Sequence, residues 1–442
     1  MRIAYVVVAD TAYMYGGVGT SLYTLGQYCD IRGWYLDIFA DKPAESRKRF
    51  MPPEFYQSFS ARQNNGYCIA VPVIPMGHMG AVQDPSMFFN AAYNFLTSFK
   101  NKVPDLVIFG DPLTALLCYS YRIHEYVPCY IYLHWHELLS EMKSTLFTAA
   151  QVDLYRSICR SMQGVGFLTQ SAANVQLIKK FMQVQATVMP LSIQIRKGAD
   201  DKAGIAYLGG GDVVKNPWLA SEVLHLFHDT HPDVPLYVIC GRGKDKLDDL
   251  FADIAIIHYR LPRDAMQEKL DSIKVGLHTS TVEGFGISVL EQISRYPVAL
   301  HNADYCASFP TCPVFDTVQE GFKLLEKLYF DNVYYSQVRD DCMVYAKTHY
   351  SFDALGDSIA KLVKSYHKTH SVRDITIENI RKCLGSEAIP LHRFYKSIGW
   401  GSDIIGTQSL KACPDGVFEF VQDQAGTYIG LPGCAKGSQF LF

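Results

Sequence analysis

Short apolar runs alternate with helical patterns along the first 195 residues, and this alternation restricts the fold more than any other feature. The runs have the length of buried strands, and the segments between them have the periodicity of helices. Strands that alternate with helices predict a mainly parallel α/β sheet with right-handed crossovers. The predicted strands are Ile3–Val8, Tyr35–Phe39, Cys68–Ile74, Leu106–Phe109, Tyr130–Leu133 and Val165–Leu168.

The alternation restarts after the polar segment 196–202, which indicates a second α/β domain. We therefore predict two Rossmann-like domains, residues 1–195 and 203–350, and an amphipathic helix at 351–369 that crosses back to the first domain. Residues 370–442 break the pattern with glycine-rich turns and aromatic side chains, and they form an extension to which no motif gives a role. The strands expected in the second domain are Gly204–Leu208, Leu236–Cys240, Ala255–His258, Val275–His278 and Val298–Leu300.

Composition narrows the class of protein. An apolar fraction of 48% is typical of a globular chain. The sequence contains no run of 18 apolar residues, so we expect no membrane span. The net charge of −3 gives no overall attraction to nucleic acid or to anionic lipid. Twelve cysteines occur without a C-x-x-C pair, which argues against a zinc site and against a disulfide framework. We expect free thiols, a cytoplasmic location and no metal, whereas the oligomeric state stays open.

The most specific pattern lies in segment 283–291. Two carboxylates, Glu283 and Glu291, flank Gly284, Phe285 and Gly286 and the first turn of a predicted helix. The glycines allow backbone N–H groups to approach a ligand closely, and a helix N-terminus favours an anion. Because Glu291 lies about two helical turns beyond Glu283, the two acids are placed to contact different parts of one extended polar ligand.

This pattern resembles the E-x7-E motif of GT-B glycosyltransferases, above all the retaining enzymes of family 4. The resemblance implies two Rossmann-like domains that face each other across a cleft, and a nucleotide-sugar donor, most often a UDP-sugar, bound mainly by the second domain. It implies that Glu283 contacts the sugar hydroxyls and Glu291 the ribose, that configuration is retained, and that no cofactor is required. Arg295 and Tyr296 replace a small residue and a glycine of the family, which we interpret as a minor change at a helix end.

A glycine-rich loop that contains Gly16, Gly17 and Val18 separates the first strand from the first helix. A loop of this kind can cradle a diphosphate, and members of the family carry a Gly-Gly loop at this place. A dinucleotide-binding fingerprint is a competing interpretation, with Asp41 near the position of a ribose contact. The seven residues before the first glycine and the lack of G-x-G-x-x-G argue against it. A plain junction between loop and helix stays open.

His134, Trp135 and His136 follow a predicted strand, at the edge where α/β proteins bind ligands. A metal pair and a structural pair of histidines are both open interpretations. The resemblance to family 4 places His134 against the reacting sugar. The His-x-His pattern also resembles phage DNA α-glucosyltransferases, which implies that Trp135 and His136 face the acceptor. Asp111 ends another strand and is either an acceptor-side base or a plain turn residue.

The run after the strand Gly204–Leu208 supplies the predicted cation. Family 4 typically has a glycine, an arginine and then a lysine here, and the two cations hold the donor diphosphate. Gly209 and Lys215 match, whereas Gly210 occupies the position of the arginine. A single point charge therefore replaces a pair of cations. Either Arg242, after the next strand, compensates for this loss, or the donor site is degraded.

Together these features predict a glycosyltransferase that moves a hexosyl or pentosyl group from a nucleotide sugar to a hydroxyl group. Three acceptors stay open: a glycan or lipid-linked sugar, a small metabolite, and hydroxymethylated cytosine in phage DNA. We narrowly favour the DNA acceptor, whose base must be flipped out of the duplex. A sugar phosphorylase and a non-catalytic binder of sugar nucleotides are alternatives of another class, since this fold hosts several functions.

Overall fold

The computed structural model describes residues 1–7, 17–39, 91–92, 95–96, 103–120, 122–134, 156–193, 195–196, 202–241, 243–369, 409–412, 418–421 and 440–441. The chain divides into two compact units. The first contains residues 1–169, 175–188 and 359–442, and the second contains residues 170–174 and 189–358. The predicted strand Cys68–Ile74 lies outside the described residues, as do Gly16, Trp135, His136 and Arg242.

Six parallel strands form the sheet of the first unit, in the order β2-β1-β3-β4-β5-β6. They are β1 (Arg2–Val6), β2 (Tyr35–Phe39), β3 (Leu106–Phe109), β4 (Cys129–Tyr132), β5 (Gly166–Thr169) and β6 (Ala186–Val188). The helices that the described residues form here include α1 (Gly17–Ile31), α2 (Pro112–Ser120) and α3 (Ala172–Met182), and the first three residues of α3 belong to the second unit. The four residues of β3 are all buried, because a central parallel strand is covered on both faces. The strand order reverses between β1 and β3, which makes this pair the topological switch point.

The sheet of the second unit also has six parallel strands, in the order β12-β11-β10-β7-β8-β9. They are β7 (Ile205–Leu208), β8 (Leu236–Cys240), β9 (Ile256–Tyr259), β10 (Val275–His278), β11 (Val298–His301) and β12 (Val314–Phe315). Its helices are α4 (Pro217–Thr230), α5 (Lys244–Phe251), α6 (Arg263–Asp271), α7 (Ile287–Ile293), α8 (Val318–Phe330) and α9 (Asn332–Tyr350). Here the order reverses between β7 and β10, so the loops after these two strands meet at a switch point.

The described residues of the C-terminal region form a helix and a small sheet. Helix α10 (Phe352–Thr369) follows α9, and the Tyr130 hydroxyl donates a hydrogen bond to the carbonyl of Leu362 at 3.2 Å. An antiparallel sheet has β13 (Ser409–Ala412) between β14 (Phe418–Val421) and β15 (Phe440–Leu441). No sequence pattern predicted this sheet.

The observed architecture confirms the predicted α/β class. Both parallel sheets arise from short apolar runs that are buried between helices, as the alternation of strand and helix requires. Within the described residues the cysteines are all free thiols. No helix in the part of the chain that the structure describes is long and apolar enough to cross a bilayer.

Candidate active site

Two loops meet at the switch point of the second unit, one after β7 and one after β10. The Thr279 hydroxyl donates hydrogen bonds to the carbonyls of Lys215 and Asn216, each at 3.0 Å. The backbone N–H of Thr281 donates to the carbonyl of Val214 at 2.9 Å. These bonds tie the two loops together, because they satisfy the carbonyls of a 3₁₀ turn at Val213–Lys215 from the neighbouring loop.

Glycine is required where the loops after β7 and β8 touch. Gly243 has a φ of +74°, and a Cβ atom there would lie 2.8 Å from the Cα atom of Gly211. A Cβ atom on Gly209 would lie 2.6 Å from the ring of Tyr207. The Tyr207 hydroxyl in turn donates to the carbonyl of Lys215 at 3.2 Å. Gly209 therefore allows the loop to fold over Tyr207, and it places Lys215 at the edge of the sheet.

Lys215 and Glu283 form an ion pair between these loops, although 68 residues separate them in sequence. His278 Nε2 lies 3.1 Å from Glu283 Oε1, and the Ser280 hydroxyl donates to the same oxygen at 2.7 Å. The structure thus brings together two of the residues that the sequence predicts. It also adds His278 and Ser280, which the sequence analysis missed.

Glu283 is ionised in this environment. Burial alone would raise the pKa of its carboxyl, but the Lys215 ammonium and the hydrogen bond from His278 hold that pKa well below the ordinary value. Burial lowers the pKa of His278, so its imidazole is neutral and Nε2–H donates to the carboxylate. Among the described residues, the site therefore holds one cation, one anion and two neutral donors, His278 and Ser280.

The turn between Glu283 and helix α7 is packed into the core of the second unit. Gly286 has a φ of +95° and precedes the first residue of α7, a conformation that favours glycine. Phe285 is buried against the rings of Phe309 and Tyr350. Its side chain belongs to the core of the unit, and the Gly284 carbonyl accepts a hydrogen bond from Asn174 Nδ2, so this turn offers a ligand the backbone N–H groups of Gly284 and Phe285.

Glu291 lies on α7 and is 8% exposed. Its carbonyl accepts hydrogen bonds from Arg295 Nη1 at 2.6 Å and from the Ser294 hydroxyl at 2.7 Å. Arg295, only 2% exposed, also donates from Nε to Asp271 at 2.6 Å and from Nη2 to Gln267. The interpretation of Arg295 as a minor change was wrong, because its guanidinium joins the end of α7 to α6.

Tyr5 and His134 lie close together in the first unit. The Tyr5 hydroxyl and His134 Nε2 are 2.9 Å apart, and the His134 ring stacks on Tyr132 at a centroid distance of 4.1 Å. Burial lowers the pKa of His134 to about 3, which makes it a neutral acceptor for the Tyr5 O–H. Gly17 and Val18 begin helix α1.

Asp111 begins helix α2 as a capping residue. Its Oδ1 accepts the backbone N–H of Thr114 at 2.8 Å, and its Oδ2 accepts the Thr114 hydroxyl at 3.0 Å. These bonds satisfy an N–H group that the helix itself leaves without a partner. Of the two interpretations of Asp111, the geometry therefore favours the turn residue over the base.

A metal site is not formed by the described residues, among which no group of three or more His, Cys, Asp or Glu side chains is arranged to hold an ion. The groups that the site does contain, Lys215, Glu283, His278 and Ser280, provide charge and hydrogen bonds. An ionised carboxylate accepts from hydroxyl groups, and an ammonium binds phosphate oxygens.

Comparison with known proteins identifies the fold. No family model and no curated protein matches this sequence. Sucrose-phosphate synthase of Thermosynechococcus elongatus matches with a TM-score of 0.64 and 12% identity, over 84% of this chain and 100% of that one. Anabaena HepE, solved in complex with UDP and glucose, matches with a TM-score of 0.60 and 14% identity, over 83% and 100%.

A third match is partial. TarM of S. aureus aligns with a TM-score of 0.50 and 15% identity, over 62% of this chain and 58% of TarM. This chain therefore spans little more than half the length of TarM. With the two parallel six-stranded sheets, these matches confirm that the chain has the GT-B fold, built from two Rossmann-like units.

Proposed function

We propose that this protein is a glycosyltransferase that uses a nucleotide-sugar donor, with UDP as the nucleotide. The observation that carries the proposal is the Lys215–Glu283 pair, which lies where the strand order reverses. Ligands of open α/β sheets bind at this place. HepE, which shares the fold, was solved with UDP and glucose, a nucleotide and a sugar of the kind required.

The reaction requires a nucleoside diphosphate to leave the anomeric carbon while positive charge develops on the sugar. Lys215 would neutralise the leaving phosphates, which is the main electrostatic need of such a step. Glu283 would accept hydrogen bonds from the sugar hydroxyls, and Glu291 from the ribose. Gly16 and Gly17 would cradle the diphosphate. Arg242 would supply the second cation in place of the family's arginine, because in sequence it follows β8, the strand next to the β7 strand that precedes Lys215.

Retention of configuration is part of the proposal and rests on the resemblance to family 4. The acceptor would then attack from the face that the diphosphate leaves, and its proton would pass to a leaving phosphate oxygen. His134 would orient the sugar and the acceptor, in the neutral form that its low pKa gives it.

The acceptor that we propose is hydroxymethylated cytosine in DNA, with Trp135 and His136 on its side of the site. The support is the His-x-His sequence at 134–136, which resembles that of phage DNA α-glucosyltransferases. The net charge of −3 gives no further support. Proteins bind the phosphates of duplex DNA through local clusters of cationic side chains, which a net charge does not reveal.

Incubation with UDP- and GDP-sugars, with and without hydroxymethylcytosine DNA, tests this function. We expect release of UDP and a gain in DNA mass of one sugar for each modified base, with the anomeric configuration read by NMR. Release of UDP without a change in DNA mass would retain the enzyme class and reject the DNA acceptor. No release from any donor would reject the glycosyltransferase, and sugar phosphate formed with inorganic phosphate would identify a phosphorylase.

A matched pair of variants tests the site itself. Glu283→Gln keeps the size of the side chain and removes its charge, so we expect transfer to be abolished in a protein that still folds, with a melting temperature lowered by no more than loss of the Lys215 ion pair explains. Glu268→Gln on α6 makes the same change outside the proposed site and should leave transfer unaffected. Full activity of the Glu283→Gln variant would show that the donor site is assigned wrongly.

A further inference from the structure

One carboxylate oxygen of Glu283 receives all the hydrogen bonds that the described residues make to this side chain. Lys215 Nζ, His278 Nε2 and the Ser280 hydroxyl all bond to Oε1. The Glu283 side chain is 11% exposed. A carboxylate has about four acceptor positions, two on each oxygen. Oε1 is thus saturated by protein donors, and Oε2 remains as the acceptor for a ligand.

His278 is the most firmly fixed of the three donors. It is the last residue of β10, is 1% exposed, and pairs in register with Leu300 of β11. Its ring meets that of Tyr305 edge to face, at a centroid distance of 5.5 Å. Because both the backbone and the ring are held, Nε2–H has one direction available, and that direction is towards Glu283 Oε1.

Lys215 is the donor that a nucleotide sugar would draw away. Its side chain is 26% exposed and reaches the site on a flexible stem, whereas His278 and Ser280 are buried. A diphosphate carries more negative charge than one carboxylate and competes for the same ammonium. Once Lys215 turns to the phosphates, His278 and Ser280 still hold Oε1 with neutral donors.

We propose that His278, together with Ser280, is a positioning residue that fixes Glu283 Oε1, directs Oε2 to the sugar hydroxyls and retains the carboxylate when the donor diphosphate engages Lys215. This role rests on the proposed function and deepens it. The histidine acts through Glu283 and does not itself contact the substrate. His278 therefore affects the orientation of the sugar, and it has little effect on the binding of the nucleotide.

The test compares His278→Leu, His278→Gln and Ser280→Ala with the wild type, using the UDP-sugar that the wild type turns over. Loss of a hydrogen bond to a charged group predicts that His278→Leu lowers kcat by about 10- to 100-fold. The dissociation constant for UDP, measured by calorimetry, should stay within about twofold, because Lys215 is intact. His278→Gln should recover most of the lost kcat, since its amide can place an N–H group near the former Nε2. Ser280→Ala should lower kcat by a smaller factor.

His301→Gln is the matched control. His301 is also the last residue of its strand, β11, and its ring packs on Phe315, whereas the hydrogen bonds that described residues make to Glu283 come from Lys215, His278 and Ser280. This variant should keep the wild-type kcat, and the melting temperatures of all variants report whether they fold. The double variant His278→Leu/Ser280→Ala should approach the inactivity of Glu283→Gln.

Two results would overturn the positioning role while the proposed function stands. One is a His278→Leu variant with wild-type kcat beside an inactive Glu283→Gln variant. The other is a loss of UDP affinity in parallel with kcat, without recovery in His278→Gln, which would indicate a general disruption of the fold. A wild-type protein that releases no nucleoside diphosphate from any donor would instead overturn the proposed function, and the positioning role with it.

Discussion

Substitution of Lys215 and Glu283, singly and together, should reveal a favourable coupling between the two side chains in the protein without donor. Their side chains are 26% and 11% exposed, which places the pair between two known limits. Exposed ion pairs contribute about 0–1 kcal/mol, and removal of one partner from a fully buried pair costs about 3–5 kcal/mol. Because Glu283 keeps two neutral donors, we expect Lys215→Met to cost about 1–2 kcal/mol and the coupling to be of similar size.

The assay is urea unfolding, followed by circular dichroism, of the wild type, Lys215→Met, Glu283→Gln and the double variant. The coupling is the change in the free energy of unfolding of the double variant minus the sum of the changes in the two single variants. Lys244 and Asp248, an exposed ion pair on α5, form the matched control. The same cycle on that pair should give a smaller coupling, because water screens it.

The pH dependence of the coupling has a defined sign. The pKa of Glu283 is held below its ordinary value of 4.5, so the stabilisation is complete above pH 4.5 and is lost as the pH falls below it. Couplings measured at pH 7 and at pH 5.5 should therefore agree. A coupling near zero at pH 7, or one that disappears between these two values, would refute the ion pair as the feature that holds this site.

Three further predictions concern stability. Arg295→Met should lower the free energy of unfolding by about 2–4 kcal/mol, since it leaves the buried carbonyl of Glu291 and the partly buried Asp271 and Gln267 without their donor. A melting temperature equal to that of the wild type would contradict this. Gly243→Ala should cost about 1–3 kcal/mol in urea unfolding, because φ is +74° and the new Cβ would press on Gly211, whereas Gly241→Ala, with open space around it, should cost less. The pKa of His134 is lowered to about 3, so the unfolded chain takes up a proton at this residue below pH 6.5 and the folded chain does not. This residue alone should therefore cost the wild type about 1 kcal/mol of stability between pH 7 and pH 5.5. Unfolding at the two pH values should show a loss smaller by about that amount in His134→Gln, and an unchanged loss would contradict the lowered pKa.

The fold could be predicted because its signal is local. The strands β2, β3, β8 and β10 have the bounds that their apolar runs indicate. The central strand β3 is the clearest case: it is buried on both faces, so it is apolar throughout and ends where Gly110 begins. The strand β9 differs, since it lies one residue further on than the predicted Ala255–His258. It forms the edge of its sheet and is half exposed, which weakens the apolar pattern that would fix its ends.

Part of the candidate site could also be predicted, since parallel strands place their carboxyl ends at one edge. Lys215 and Glu283 follow β7 and β10, and the structure joins them. The roles given to Glu291 and His134 stay predictions. His278 was missed although it left a signal, a polar residue that closes an apolar strand five positions before Glu283. That signal alone does not predict which residues His278 contacts, because the contacts depend on which strands are neighbours in the sheet.

Arg295 shows why the remaining contacts could not be predicted. A charged residue after a short helix has the sequence pattern of an exposed helix end, and burial of a guanidinium is expected only where partners surround it. Those partners, Asp271 and Gln267, lie on α6, 24 and 28 residues earlier, and reach Arg295 only after β10 and α7 have packed. The same guanidinium binds the carbonyl of Glu291, so the backbone of that acid is held by a charge that the motif does not contain. A motif therefore predicts which residues face a ligand. The residues that hold them in place lie on neighbouring elements, and only the structure shows them.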